Sequence, residues 1–285
     1  KALRPRQWTK NGIVVAALVF AEQFRDPKLL GLTIGAVACM CMLSSAGYLF
    51  NDIRDVENDR VHPKKRFRPI ASGALPVGAA WAMIVLLCVV ALGGGYWIGP
   101  GFAVAAAAYL VSTTVYTLWI KQVVLLDIMF LAGLFILRAV AGAEAIDVPI
   151  SPWFLITTMF LALFLGFSKR RGELRLLESD AIKFRKILGE YSLELLDQLN
   201  AVTAAGAILS YAMYTFEAAR TQWLMATVPL VVYGIFRYFY LVHKRGQGDA
   251  PDATLLKDVG MWATVLLYVV MVVVILLLVP GTIDN

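Results

Sequence analysis

Long stretches of apolar residues alternate along this chain with short polar segments. A helix needs roughly 20 predominantly apolar residues to cross a bilayer, and nine stretches approach or exceed that length. The first is the shortest and contains Glu22. The predicted spans are 11–25, 29–50, 75–97, 101–120, 124–144, 152–168, 198–216, 222–242 and 259–280.

The character of these stretches distinguishes helices from barrel strands. Membrane barrel strands alternate apolar and polar residues, whereas the stretch MWATVLLYVVMVVVILLLV at 261–279 is apolar on every side. Hydrophobic residues make up 60% of the chain and charged residues 16%, which is typical of a membrane protein. The pattern therefore predicts an all-α integral membrane protein, a bundle of nine transmembrane helices in one domain over 1–285.

Basic residues indicate the orientation, because Lys and Arg accumulate on the cytoplasmic side of membrane proteins. Every second interhelical segment, starting from the N-terminus, is basic, and these segments hold 21 of the 26 Lys and Arg residues. We therefore expect a plasma (inner) membrane protein with a cytoplasmic N-terminus and active site and an external C-terminus. The predicted cytoplasmic face comprises 1–10, 51–72, 121–127, 169–197 and 243–257.

An acidic motif, NDIRDVENDR at 51–60, follows the second apolar stretch directly. On a helix, Asp52, Asp55 and Asp59 would be spaced i, i+3, i+7, with Asn51 one turn before Asp55, so all four would share a side. Carboxylates so placed repel one another unless a cation lies between them, and their hard oxygens suit Mg²⁺. The motif predicts a magnesium site, although a solvated acidic helix end has the same composition.

Basic residues follow the acidic motif at Lys64, Lys65, Arg66 and Arg68. Carboxylates that bind a metal, followed by cations that bind phosphate, are the two parts of a diphosphate site. Contact with anionic lipid headgroups would explain the same cations. The aspartates favour the diphosphate interpretation.

These residues resemble the UbiA superfamily of intramembrane prenyltransferases, whose first signature is N-D-x-x-D-x-x-x-D. Asn51, Asp52, Asp55 and Asp59 reproduce it, and Arg66-Phe67-Arg68-Pro69 is similar to the basic loop that follows. The resemblance implies nine transmembrane helices and Mg²⁺ that bridges the aspartates to the diphosphate of the donor substrate.

Two departures from the family pattern bear on the substrate. The second acidic motif of prenyl diphosphate users, often D-x-x-x-D, is replaced here by GFSKRRGEL, in which Lys169 and Glu173 keep the spacing. The family's Y-x-x-x-K is represented by Tyr116 and Lys121, one residue further apart. A cation in place of an acid suggests substrates with additional phosphate.

One branch of the family has this character, and RQWTKN at 6–11, SSAGYLFNDIRDVENDRVHP at 44–63 and SKRRGE at 168–173 resemble it. The resemblance implies a Mg²⁺-dependent enzyme that transfers 5-phosphoribose from phosphoribosyl pyrophosphate to a polyprenyl (decaprenyl) phosphate for cell-wall arabinan. Catalytic roles would fall to Asp52, Asp55, Asp59 and Lys169. Substrate-binding roles would fall to Lys10, Asn51, Arg66, Arg68, Tyr116, Lys121, Lys169, Arg170, Arg171 and Glu173.

Two other functions remain alternatives at this stage. An aromatic prenyltransferase of quinone biosynthesis would use a polyprenyl diphosphate donor, but SKRRGEL counts against it. A non-catalytic transporter or lipid-binding protein would leave the motif from Asn51 to Asp59 unexplained. We expect no nucleic-acid partner, and the oligomeric state stays open.

Three features outside the motifs lead to further expectations. Arg138 lies 11 residues after Asp127, or roughly 16 Å along a helix, so it should face the interior and find an anionic or carbonyl partner. A structural ion pair is the leading expectation, and contact with a substrate phosphate is the alternative. Asp127 itself is either a substrate or metal contact or a loop cap.

Residues 169–197 mix charged and apolar positions at helical spacing, which predicts an amphipathic interfacial helix over the site. Cys39, Cys41, Cys88, His62 and His243 are assigned no role.

Overall fold

A computed structural model describes residues 1–63, 65–177, 186–218, 221–244 and 258–278. Every regular element within those ranges is helical, which confirms the predicted all-α class. The chain separates into two compact units, residues 1–150 and 151–285.

The first unit begins with a 3₁₀ helix, Pro5–Val15, which leads directly into the short helix α1, Ala16–Phe20. Helix α2 starts at Pro27, where the Asp26 carboxylate accepts the backbone N–H of Lys28 at 2.7 Å and so caps the first turn. The helices that follow α1 are α2 (Pro27–Arg54), α3 (Val56–Val61), α4 (Val77–Ile98), α5 (Pro100–Leu118) and α6 (Leu126–Ala145). Short 3₁₀ helices cover Gln23–Arg25, Lys65–Phe67 and Ile120–Gln122.

Small residues allow close packing in the first unit. A Cβ atom at Gly142 of α6 would lie 2.2 Å from the carbonyl oxygen of Val14, so the 3₁₀ helix packs directly against the backbone of α6. A Cβ atom at Gly47 of α2 would lie 2.6 Å from Cγ2 of Thr113 on α5. The first contact brings two backbones together and the second packs a side chain directly on a helix, as small residues allow in membrane helix bundles.

A buried arginine lies at the centre of this unit. The Arg138 side chain donates to the Asn11 amide oxygen at 2.8 Å, the Tyr109 hydroxyl at 2.6 Å and the Leu134 carbonyl at 3.2 Å. The expected carbonyl partners are present. The expected ion pair is wrong, because Arg138 contacts no carboxylate among the described residues; neutral oxygens and the faces of Tyr109 and Phe135 surround its charge instead.

The second unit contains α7 (Pro152–Leu177), α8 (Leu193–Met213), α9 (Val228–Lys244) and α10 (Val259–Leu278). A 3₁₀ helix, Lys186–Glu190, precedes α8, and a π-helical turn, Tyr214–Ala218, follows it. Another 3₁₀ helix, Gln222–Thr227, leads into α9.

Helices α7 and α8 are antiparallel and joined by polar pairs along their contact. The Thr157 hydroxyl bonds to Ser210 at 3.1 Å near one end, and the Ser168 hydroxyl donates to the Asn200 amide oxygen at 3.0 Å near the other. Between them, a Cβ atom at Gly206 would lie 2.6 Å from the Phe160 ring. The close approach holds the side chains of the two helices in a fixed register.

Most of the predicted spans form helices of the length and composition that a membrane crossing requires. Within the described residues, seven helices are long and apolar enough to cross a bilayer. They correspond to the predicted stretches at 29–50, 75–97, 101–120, 124–144, 152–168, 222–242 and 259–280.

The other two predicted spans differ in the structure. The stretch 11–25 is divided among Pro5–Val15, Ala16–Phe20 and Gln23–Arg25, so the prediction of one continuous helix there is wrong. A left-handed backbone at Glu22, with φ of 57°, ends the helical run. The stretch 198–216 does form a helix, but α8 starts earlier and carries Asp197 and Asn200 in its first two turns, which lowers its apolar character.

The predicted interfacial helix over 169–197 is also wrong in its described parts. Residues up to Leu177 continue α7, Lys186–Glu190 is a 3₁₀ helix, and α8 begins at Leu193. Residues 178–185 lie outside the described ranges. Among the described residues of this segment, 169–177 therefore lie at the end of α7 and 193–197 at the start of α8.

Candidate active site

The acidic motif lies at the junction of α2 and α3. Asp55 leaves the helical conformation, with φ of −97° and ψ of 7°, yet helical hydrogen bonding continues through it. The Asp55 N–H donates to the Asn51 carbonyl at 3.0 Å, and the Asp59 N–H donates to the Asp55 carbonyl at 2.8 Å. The backbone thus changes direction at Asp55 while it keeps the spacing of one turn between the acidic side chains.

Two of the aspartates share one arginine. Arg68 Nη1 lies 3.1 Å from Asp52 Oδ1 and 2.6 Å from Asp59 Oδ2. Both carboxylates are buried, and a buried charge needs a partner. Arg68, a predicted substrate-binding residue, therefore contacts the acidic motif directly.

Arg4 is a site residue that the sequence argument missed. Arg4 Nη2 donates to Asp52 Oδ1 at 2.5 Å, and its guanidinium lies 5.0 Å from the centre of the Tyr48 ring. The N-terminal segment is held to α2 by two further bonds, from Trp8 Nε1 to the Ser45 hydroxyl at 3.1 Å and from that hydroxyl to the Leu3 carbonyl at 2.9 Å. The only signal in the sequence was the position of Arg4 just ahead of RQWTKN.

Asp55 has a different partner. Lys121 Nζ lies 2.5 Å from Asp55 Oδ1 and 3.4 Å from the Asn51 amide oxygen. The Asn51 amide also donates to Asp55 Oδ2 at 3.0 Å. Lys121 lies in the 3₁₀ helix that follows α5, so the structure brings the lysine of the altered Y-x-x-x-K segment to the acidic motif.

The acidic side chains divide between two cationic partners. Asp55 contacts Lys121, while Asp52 and Asp59 share Arg68. In the described part of the chain, no three His, Cys, Asp or Glu side chains lie close enough to surround one ion, and the magnesium site stays a prediction. Asp52 and Asp59 nevertheless direct oxygens at one cationic atom. Two carboxylates suit Mg²⁺, which completes its shell with water and phosphate oxygens.

The other candidate residues of the first unit differ in their contacts and exposure. Arg66 is exposed, with its guanidinium 4.9 Å from the centre of the Phe67 ring. Tyr116 stacks on Phe130 with ring centres 6.4 Å apart. Lys10 is half-buried in the first 3₁₀ helix, and Asp127 is fully buried in the first turn of α6. Lys64 lies outside the described residues.

In the second unit, the SKRRGE segment lies near the C-terminal end of α7. This is the end that the sequence predicts to be cytoplasmic. Arg170 Nη1 donates to Glu173 Oε2 at 2.6 Å, and Lys169 Nζ lies 4.0 Å from Glu173 Oε1. Arg170 is buried, whereas Lys169 is half exposed. Glu173 thus neutralises part of the charge that Lys169 and Arg170 bring to this helix end.

Arg171 faces α8 and belongs to a second polar group. Its Nε and Nη2 donate to the two oxygens of Asp197, and His243 Nε2 lies 3.2 Å from Asp197 Oδ1. Burial acts to raise the pKa of Asp197, but the hydrogen bond and charge of Arg171, together with His243, outweigh it and hold that pKa below its usual value. Sequence reasoning assigned no role to Asp197 or His243, since neither lies in a recognisable motif.

Comparison with known protein families gives a match over most of the chain. Residues 12–263 match the model of the UbiA prenyltransferase family. The matched region contains the acidic motif, Lys121 and the SKRRGE segment.

Two relatives share a specific activity in their names. The decaprenyl-phosphate phosphoribosyltransferase of Mycolicibacterium smegmatis is 37% identical over 273 residues, which cover 90% of this chain and 86% of that protein. The enzyme of the same name from Corynebacterium glutamicum is 35% identical over 290 residues, covering 98% and 87% respectively.

Solved structures support the fold. A UbiA homolog from Archaeoglobus fulgidus bound to GPP and Mg²⁺ superposes with a TM-score of 0.74 and covers 97% of this chain and 98% of its own. Its sequence identity is only 16%, so this likeness shows the fold alone.

Proposed function

Because this chain belongs to the UbiA prenyltransferase family, we propose that it transfers 5-phosphoribose from phosphoribosyl pyrophosphate to a polyprenyl phosphate, most closely decaprenyl phosphate. The observation that carries the proposal is the similarity to decaprenyl-phosphate phosphoribosyltransferases over nearly the whole chain. The cationic SKRRGE segment, where an acidic motif would serve prenyl diphosphate donors, agrees with it.

The reaction exchanges one bond at the ribose. An oxygen of the lipid phosphate forms a bond to ribose C1 while the bond from C1 to the diphosphate oxygen breaks, and diphosphate leaves with the electron pair. Positive charge develops on the ribose ring as the leaving group departs, as in glycoside cleavage. The acceptor is already an anion, so the step requires no general base. The enzyme's main tasks are to orient the two substrates and to stabilise the leaving diphosphate.

Asp52 and Asp59, assisted by Asp55 and Asn51, are the residues that would hold Mg²⁺. When bound, the ion would neutralise charge on the leaving diphosphate. The Arg68 side chain, which now occupies the point between Asp52 and Asp59, would be free to bind a phosphate oxygen. Lys121 would likewise move from Asp55 to a phosphate oxygen when Mg²⁺ binds.

The remaining predicted residues have supporting roles in this proposal. Lys10, Arg66, Lys169, Arg170 and Arg171 would bind substrate phosphates, Glu173 would contact a ribose hydroxyl or set the charge of its basic neighbours, and Tyr116 would flank the substrates. Arginines are favoured for this task, because their planar fork binds phosphate oxygens in pairs.

The membrane placement forms part of the proposal. The apolar helices and the family indicate an integral membrane protein. We propose nine crossings in a plasma membrane, with the acidic motif and the N-terminus on the cytoplasmic side, because the basic segments alternate in that way. The product would then supply arabinose for a cell-wall arabinan.

Donor choice tests this function. Purified protein in detergent with Mg²⁺ should move label from phosphoribosyl pyrophosphate into a polyprenyl phosphate. A parallel reaction with a prenyl diphosphate and an aromatic acceptor should give no product. Product in the second reaction only would overturn the proposal and favour an aromatic prenyltransferase.

A further inference from the structure

At one end of the contact between α7 and α8, two pairs of polar side chains join the helices, and each pair is called a rung here. Ser168 of α7 donates to Asn200 of α8, and one turn further along α7, Arg171 bonds to Asp197, one turn earlier on α8. Successive rungs are three residues apart, which is roughly 4.5 Å along a helix axis. The side chains of Asn200 and Arg171 are therefore neighbours along one line of contact.

Each rung leaves one hydrogen-bond donor unused. Asn200 is 0% exposed and Arg171 is 8% exposed. Asn200 Nδ2 and Arg171 Nη1 are buried, and neither makes a hydrogen bond to a described residue. Unsatisfied buried donors are destabilising, so two of them on adjacent rungs call for an explanation.

The partners already present fix both donors. The Ser168 hydroxyl donates to the amide oxygen of Asn200. The NH₂ group of that amide therefore points away from Ser168. Asp197 accepts hydrogen bonds from Nε and Nη2 of Arg171, the two nitrogens on one side of the guanidinium. The third nitrogen, Nη1, lies on the other side and does not contact Asp197. His243 in turn contacts Asp197. Both donors are thus held in place in advance, as a binding site requires.

We infer that Asn200 and Arg171 form a phosphate subsite, in which Nδ2 and Nη1 donate to oxygens of one phosphate group. Both groups only donate, so the ligand must be an acceptor, and a phosphate offers several acceptor oxygens that form strong hydrogen bonds with a guanidinium. A phosphate group presents several acceptor oxygens, so a single group can accept from two neighbouring donors. The inference deepens the proposed function, on which it rests for its choice of substrates.

Two substrates carry suitable phosphate, the 5-phosphate or diphosphate of phosphoribosyl pyrophosphate and the monophosphate of the polyprenyl acceptor. The shared chemistry is a phosphate dianion that accepts from an amide and a guanidinium. Separate measurements with the two substrates distinguish the sources.

The substitution Asn200→Asp tests the subsite. It keeps the shape of the side chain and the oxygen that accepts from Ser168, but it replaces the NH₂ donor with an anionic oxygen. A phosphate in the subsite would be repelled, and we expect affinity to fall at least about tenfold, the loss of one charge-assisted contact. A resident water, which both donates and accepts, would tolerate the change.

Arg171→Lys provides a second variant in the other helix, since it keeps the charge beside Asp197 and removes Nη1. Thr203→Val is the matched control, because Thr203 lies one turn after Asn200 and bonds only to backbone carbonyls. Equilibrium binding is measured with phosphoribosyl pyrophosphate, a short-chain polyprenyl phosphate and inorganic diphosphate, and folding is checked by thermal unfolding.

Weaker binding of one substrate in Asn200→Asp and in Arg171→Lys, with Thr203→Val unchanged, is the expected result. Affinities within twofold of wild type in both folded variants would overturn the inference and assign the donors to water. Absence of binding to wild type by all three ligands would overturn it as well. Loss of diphosphate or lipid phosphate binding in the variants, in a wild type that transfers no ribose, would retain the subsite and reject the proposed function.

Discussion

Arg4 Nη2 lies 2.5 Å from Asp52 Oδ1, although 48 positions separate the two residues in the chain. This pair attaches the N-terminal segment to the acidic motif. Asp52 is buried and also contacts Arg68, so two guanidinium groups share one carboxylate. Arg4 can hold Asp52 in position when Arg68 turns toward a substrate phosphate, which makes Arg4 a positioning residue of the proposed site.

Arg4→Gln should lower kcat/KM by about tenfold, because Asp52 would then depend on Arg68 for neutralisation and Arg68 would be less available to substrate. The effect should appear in transfer assays at saturating lipid. Arg60→Gln is the matched control, since Arg60 pairs with Glu57 on the exposed side of α3; such pairs contribute little. Equal activity in both variants would contradict a positioning role for Arg4.

Asp55 and Lys121 should act as a coupled pair. Asp55→Asn and Lys121→Met should each reduce transfer at least about tenfold, and the double variant should lose less than the product of the two, because the residues contact each other at 2.5 Å. Rate constants for all four proteins give the coupling. Multiplicative losses would show that the two residues act independently. Lys28→Met, at an exposed position near the start of α2, controls for the loss of a lysine.

Gly142 should be irreplaceable for packing. Gly142→Ala would place a methyl group 2.2 Å from the Val14 carbonyl oxygen, and we expect a loss of about 1 to 3 kcal/mol in the free energy of unfolding. Gly133→Ala, on the same helix, meets no atom within 4 Å and should be neutral or stabilising by up to about 1 kcal/mol. Unfolding midpoints in detergent compare the two; equal midpoints would mean that the 3₁₀ helix does not pack on α6 as described.

Arg138 should stabilise the fold without contacting the substrates. Arg138→Met removes the donor to the Asn11 amide oxygen and the Tyr109 hydroxyl, and each buried acceptor left unsatisfied should cost about 1 to 3 kcal/mol. Arg25→Gln, at an exposed position, controls for the change of charge. The KM values for both substrates should stay unchanged in protein that remains folded. A raised KM with an unchanged unfolding midpoint would reverse this assignment.

Helix positions followed from the sequence wherever apolar character was continuous. The stretch 259–280 predicted α10 well, because little besides a helix satisfies an apolar backbone in lipid. The prediction of one helix over 11–25 was wrong, because hydropathy carries no signal for a 3₁₀ helix or for the left-handed backbone at Glu22. Likewise, charged residues at helical spacing in 169–197 could not reveal that α7 extends to Leu177 and that α8 begins only at Leu193.

Site residues followed from the sequence when they were close together in it. The spacing of Asp52 and Asp59 anticipated that they would share a cation, but the identity of that cation as Arg68 depends on how the loop folds back. Arg4 and Asn200 could not be found, because their importance comes from partners many residues away. The neutral environment of Arg138 was equally hidden, since depth in the membrane predicts a partner but not its chemistry.

The most direct test of the account follows labelled phosphoribosyl pyrophosphate, with Mg²⁺ and a polyprenyl phosphate, in the wild type and in Asp55→Ala. Label should move into the organic phase with the wild type, should require Mg²⁺, and should fall to background in the variant while the protein remains folded. Transfer that is unaffected by the loss of Asp55 or by removal of Mg²⁺ would contradict the proposed role of the acidic motif. No transfer by the wild type would contradict the proposed reaction itself.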